Sequence, residues 1–145
     1  MMKIYKLTIL IFLINSFANI SFSKDNFFNE GVRLFKNKEY EDAKFLLERS
    51  IVFDPKHANS YLYLAKIYKE KKDQTNEVKN LETTLLIEPD NEEAILMLMQ
   101  IGIEKSNYSK VKELSEKFIR VCKSLCIENN KILENLKNIE PKNES

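Results

Sequence analysis

Two segments of periodic apolar residues end on Asp54-Pro55 and Glu88-Pro89, and the two prolines stand 34 residues apart. A fixed internal period of this length constrains the fold more than composition does, because it requires one supersecondary unit to be repeated along the chain. Stepping back from each proline by equal amounts pairs Phe27 with Tyr61, Gly31 with Ala65, Leu34 with Tyr68, Leu47 with Leu81 and Ser50 with Thr84. Aromatic residues recur against aromatic ones, and small against small. Further steps of 34 carry Tyr61 to Ile95, Leu64 to Leu98 and, in two strides, Tyr40 to Tyr108, which marks a third, weaker unit.

Each unit reads as two helices. Leu62, Leu64, Ala65, Ile67 and Tyr68 fall at spacings that one helical face collects, and Val78, Leu81, Leu85 and Leu86 do so again after the polar stretch 69–76. Asp73 is placed to cap the later helix by accepting a free amide hydrogen of its first turn. Asp90 and Glu93 have the spacing of a capping box. Pro55 and Pro89 end their helices by restricting the preceding residue and by lacking an N–H. With two Gly and three Pro in 145 residues, the turn punctuation that many short strands need about every 8–12 residues is missing. The length suits one domain.

The pattern resembles the tetratricopeptide repeat, a 34-residue helix-turn-helix with an early large aromatic, a small residue where its helices touch, an Ala opening the second helix and a closing Pro. Phe27, Gly31, Leu34, Tyr40, Ala43, Leu47 and Pro55 match it in the first unit, and Tyr61, Leu64, Ala65, Tyr68, Leu81 and Pro89 in the second, where Glu77 replaces the usual Ala. Leu98, Tyr108 and Phe118 match in the third, but Met99 replaces the small contact residue, Gly102 stands where an aromatic is usual and Lys123 where Pro is expected. The resemblance covers residues 24–123 and implies an all-α solenoid of three units, 24–57, 58–91 and 92–123. A lone helix pair leaves one apolar face bare, so a lid is needed after the last. Ile127, Ile132, Leu133, Leu136 and Ile139 within 124–140 predict an amphipathic capping helix, and 141–145 a disordered tail.

Residues 1–6 carry Lys3 and Lys6 without an acid, and 7–14 is an apolar run broken by Thr8, followed by small residues that allow cleavage after Ala18 or Ser23. This is the organisation of a secretory leader over 1–23. The alternative is a retained anchor, although a spanning helix needs about 20 mainly apolar residues, and Asn15, Ser16, Asn19 and Ser21 interrupt this one. Heavy use of Lys, Asn and Ile suggests a low-GC bacterial genome, hence export to the periplasm or exterior. The formal charge of +1 falls to about −1 on losing Lys3 and Lys6, and lysines and glutamates are interspersed, which speaks against nucleic acid as a partner. After cleavage no membrane association is expected.

By the same resemblance, the first helices line a groove, with Asp25, Phe28, Val32, Phe35 and Lys36, then Asn59, Leu62, Lys66, Lys69 and Glu70, then Glu93, Leu96, Gln100, Ile103 and Glu104 facing it. The residues expected to meet a partner are Phe28, Val32, Phe35, Leu62, Lys66, Lys69, Leu96 and Gln100. Phe28 and Val32 stand where relatives that grip acidic chaperone tails have a basic and Asn clamp, so an amphipathic helix or extended peptide with some negative charge is the expected guest. The same residues could instead fill contacts between units or a homodimer seam.

Cys122 and Cys126 are the only cysteines. On a continuous helix, Cβ atoms four residues apart lie about 5–6 Å from one another, against the roughly 3.5–4.5 Å of a disulfide. Either the helix runs through with free thiols, or it stops near Lys123 and the two are bridged. The turn that the repeat calls for there favours the bridge. A thiol switch or soft-metal function is the alternative, though two sulfurs are too few for a tetrahedral zinc site. His57 is the sole histidine, and Gly31 and Gly102 are isolated rather than part of a phosphate loop. No catalytic set, metal site or cofactor is expected. The function classes left are a binding scaffold for a protein or peptide, a thiol or metal handler, and a self-associating structural subunit.

Overall fold

The structure, a computed structural model, describes residues 24–139. The leader expected at 1–23 and the tail expected at 141–145 lie outside the described residues. Seven α-helices, and no strand, make up the described residues: α1 Lys24–Lys36, α2 Tyr40–Phe53, α3 Ala58–Glu70, α4 Gln74–Ile87, α5 Glu92–Glu104, α6 Tyr108–Val121 and α7 Cys126–Ile139. The helices α1, α3, α5 and α7 begin at 24, 58, 92 and 126, and α2, α4 and α6 at 40, 74 and 108. Every helix therefore starts 34 residues after its counterpart, and α7 occupies the place of the first helix of a fourth unit. Each helix packs on the next, while α1 also meets α3 and α5 meets α7.

The turn inside each pair is built the same way three times. Lys38, Lys72 and Ser106, again 34 apart, have φ of 65°, 57° and 54°. The N–H groups of Glu39, Asp73 and Asn107 donate to the carbonyls of Leu34, Tyr68 and Gly102 at 3.0, 2.9 and 2.8 Å. This is the Schellman ending, in which a left-handed residue lets the chain fold back onto the last carbonyls of its own helix. No glycine fills that position in any unit. Asp73 then caps α4, its Oδ1 accepting from the Asn76 N–H at 3.1 Å, and Asn107 caps α6 in the same way. At α5 the expected capping box is not formed. Asn91, not Asp90, is the cap, accepting from the Ala94 N–H at 3.0 Å. Asp90 instead meets Lys123 Nζ at 3.1 Å.

Side chains between units repeat as well. Tyr40 donates to Glu70 at 3.4 Å, and the counterpart pair one unit later is Gln74 donating to Glu104 at 3.3 Å. Lys71 and Glu41 form a neighbouring ion pair. The apolar core falls into three clusters along the stack: Leu34, Ala43, Leu47, Leu64 and Ile67 at one end, Leu62, Ala65, Leu81, Ala94 and Ile101 between, and Ile95, Met99, Val111, Leu114, Phe118 and Leu136 at the other, with Leu85 and Leu98 joining the last two.

The departures of the third unit compensate one another. Where the first unit sets Leu34 near Ala43, the third sets Gly102 near Val111. A Cβ built on Gly102 would come within 2.7 Å of Val111 Cγ2. The bulky valine on α6 uses the room left by the missing side chain on α5, and large-against-small packing is kept with the roles exchanged.

The third unit also ends differently. α6 stops at Val121, and Cys122 and Cys126 are joined by a disulfide with Cα atoms 5.4 Å apart. Without a proline, the loop is held by Glu92, whose carboxylate accepts from the Lys123, Ser124 and Leu125 N–H groups at 2.6–3.2 Å. The Leu125 N–H foremost, with those of Lys123 and Ser124, holds the Glu92 carboxyl below the ordinary range. α7 buries Leu136 and half-buries Ile132 and Leu133 against the last pair, but Ile127 is 70% exposed and forms no part of the lid.

Candidate functional site

α1, α3 and α5 form the face on which the groove residues were expected, and the helical spacing sorts them into three fates. Leu62 is inside. It is 4% exposed, in the core cluster with Ala65, Leu81 and Ala94, so the expectation that it meets a partner is corrected: the α3–α4 and α3–α5 packing takes its whole side chain. Leu96 is half-buried against the cluster shared with α7.

Phe28 and Phe35 come together at the surface around a residue that the sequence reading passed over. Tyr63 meets Phe28 edge-on at 5.7 Å and Phe35 edge-on at 5.5 Å between ring centroids. Phe28 also meets the His57 ring at 4.5 Å, and Phe35 the Tyr40 ring at 5.8 Å. All five rings are partly exposed, as is Val32 on α1. His57 acts here as a ring contact, with its Nδ1 2.8 Å from Ser60 Oγ, and makes no side-chain cap to α3. Tyr63 follows Leu62 directly, and a helix turns about 100° per residue. Only the placement of α1 beside α3 shows that Tyr63 rather than Leu62 points along the shared surface.

Lys66 stands at the edge of this aromatic patch. Its Nζ lies 4.3 Å from the Tyr63 ring centre and 2.9 Å from a Glu93 oxygen, tying α3 to α5. The charge that was expected to await a guest is thus already engaged by an aromatic face and a carboxylate.

Lys69 and Gln100 belong to a second feature further along the same face. A cavity of about 430 Å³ opens between α3, α4 and α5, with Lys69, Lys72, Gln74, Glu77, Met97, Gln100, Ile101 and Glu104 around it. Its size is that of pockets that hold one side chain or a small ligand. Glu104 lies across it, accepting from Gln74 at 3.3 Å and Gln100 at 3.4 Å. Glu77 is 5% exposed. Burial pushes its carboxyl above the ordinary range, Lys69 opposing and Glu104 adding to the effect.

Among the described residues no group of three or more His, Cys, Asp or Glu is arranged to hold a metal ion, and no helix is long and apolar enough to cross a membrane. Both cysteines are spent in the disulfide.

No protein-family model matches the sequence, and neither does any curated protein. Solved structures do match. The Sgt2 TPR domain from Aspergillus fumigatus superposes with a TM-score of 0.61 over 84% of this chain and 87% of that one, at 21% identity. MamA gives 0.57 over 80% of this chain and 61% of that one, at 18% identity. A chain of the CopN–Scc3 complex gives 0.65 over 87% and 74%, at 11% identity. The chain has the tetratricopeptide-repeat fold. At these identities the likeness lies in the backbone: helix pairs of constant length in a constant stack. In that fold the face of the first helices is where the aromatic patch and the cavity both sit, on residues 28–35, 63–69 and 97–104.

Proposed function

We propose that this protein is an exported, non-catalytic scaffold of the bacterial envelope that holds a peptide or helix of another protein along its first-helix groove. The observation that carries the reading is the partly exposed aromatic patch of Phe28, Phe35 and Tyr63, which adjoins Lys66 on the same face as the polar cavity at Lys69 and Gln100. Rigid aromatic side chains supply contact area at little entropic cost, and an adjoining polar cavity supplies selectivity. The leader-like residues 1–23 support export, and the disulfide is of the kind that persists in an oxidising compartment. The test is site-specific photo-crosslinking from position 35 and, as a control, from position 86, which is 82% exposed on α4. A partner crosslinked from 35 but not from 86, and lost when Phe28→Ala or Lys66→Glu is added, is the expected result. Equal capture by all three proteins would count against this groove.

A second reading, self-association, has its own observation. Val52 and Leu86 stand 34 residues apart at the ends of α2 and α4 and are 78% and 82% exposed. Sedimentation of the purified protein separates the two, since a dimer broken by Leu86→Lys places the apolar surface between copies of this chain.

A further inference from the structure

Glu77 occupies a place where the other two units bury an apolar side chain, Ala43 and Val111, each fully hidden. The fold therefore has no need of a carboxylate there. It is nonetheless almost fully buried, it lines the cavity between α3, α4 and α5, and no side chain among the described residues hydrogen-bonds or ion-pairs with its carboxylate, Lys69 and Glu104 acting on it only at a distance. A carboxylate whose one route to water is through a cavity is poorly solvated there, and the cavity leaves room for a partner to come from outside.

The cavity is rich in acceptors. The side-chain N–H groups of Gln74 and Gln100 are turned onto Glu104, which leaves the two amide oxygens, with the Glu77 carboxylate, to receive donors. Met97 and Ile101 supply an apolar wall. Lys69 and Lys72 are exposed at the rim; Lys69 acts on Glu77 from a distance, and neither forms an ion pair with it. The deepest charge is negative, the walls fit methylenes, and the acceptors outnumber what one ammonium can use. A planar guanidinium, with five donors on a three-carbon stem, satisfies such a set.

We infer that this cavity is an arginine subsite: it takes the guanidinium of an arginine side chain from the bound segment, paired with Glu77, with the stem against Met97 and Ile101. The inference builds on the reading that the groove holds a peptide, and adds that the peptide carries a basic residue beyond the part that covers the aromatic patch.

Amide shifts of the isotope-labelled protein, followed during titration with acetyl-Ala-Ala-Arg-Ala-Ala-amide, test this directly. The arginine peptide is expected to move the resonances of Glu77, Gln100 and Glu104. The peptide with citrulline, which has the same shape without the charge, should bind at least tenfold more weakly. Glu77→Gln should lose the same factor while its spectrum stays that of the folded protein, and Glu104→Gln should lose less. Equal binding of the citrulline peptide, unchanged binding by Glu77→Gln, or preference for the same peptide with glutamate in place of arginine, held through Lys69 and Lys72, would each overturn the assignment. These results are independent of the crosslinking at position 35: the subsite can fail while the groove still captures its partner, and the groove can fail while the arginine peptide still binds.

Discussion

The exchange of bulk between Gly102 and Val111 makes a quantitative demand on stability. Adding one methyl in Gly102→Ala places a carbon 2.7 Å from Val111 Cγ2, about 1 Å inside the usual contact distance. Valine is stiff about χ1, and Val111 is fully buried, so the clash cannot be relieved by swinging a flexible chain. Overpacking of this kind costs ~1–3 kcal/mol, offset by about 1 kcal/mol because alanine is the better helix former. The single variant should thus lose between roughly zero and 2 kcal/mol. Val111→Ala alone removes two buried carbons and leaves a cavity, for about 2–3 kcal/mol. With both changes the new methyl enters part of the vacated space. The double variant should then be more stable than Val111→Ala, giving a favourable coupling of roughly 2–3 kcal/mol. Urea unfolding of the four proteins, with the denaturant slope checked for constancy, measures it. A coupling within about 0.5 kcal/mol of zero would refute the idea that the two residues compensate.

Other substitutions probe the turns and the acids. Lys38→Gly removes the steric penalty of a side chain in the left-handed region at φ 65° and should stabilise by about 0.5–1 kcal/mol, the gain being reduced by the added freedom of the unfolded chain; the thermal midpoint reads it. Glu77→Gln should stabilise the free protein at neutral pH, because the raised folded-state affinity for a proton means that wild-type stability declines as pH rises through that value; the advantage should vanish below the unfolded carboxylate range. Glu92→Gln has the opposite sign. The Glu92 carboxyl is held low by the loop N–H groups, so its contribution is present above the unfolded value and is lost as pH falls through the folded one. The variant should accordingly show faster amide exchange at 123–125 near neutral pH and converge with wild type in acid.

A 34-residue alternation of large and small residues was enough to determine the fold class, because one period imposed on two helical stretches leaves a bare apolar face that only another copy can cover. The same period holds the left-handed turn at 38, 72 and 106, although no glycine marks it; backbone hydrogen bonding to the carbonyls of Leu34, Tyr68 and Gly102 enforces that turn whatever the side chain. What a linear pattern left open were matters settled by neighbours distant in sequence. Leu62 and Tyr63 differ by one step along the chain, yet one is core and the other surface, since the angle at which α3 meets α1 and α5 decides which faces outward. Glu77 read as a lapse from the repeat until α5 supplied the other wall of its cavity, and nothing in the linear pattern tied Glu92 to the loop at 123–125 that it holds. Helical period is a local property of the backbone and is written residue by residue, whereas a site arises where three helices converge, and that convergence exists only once the stack has formed.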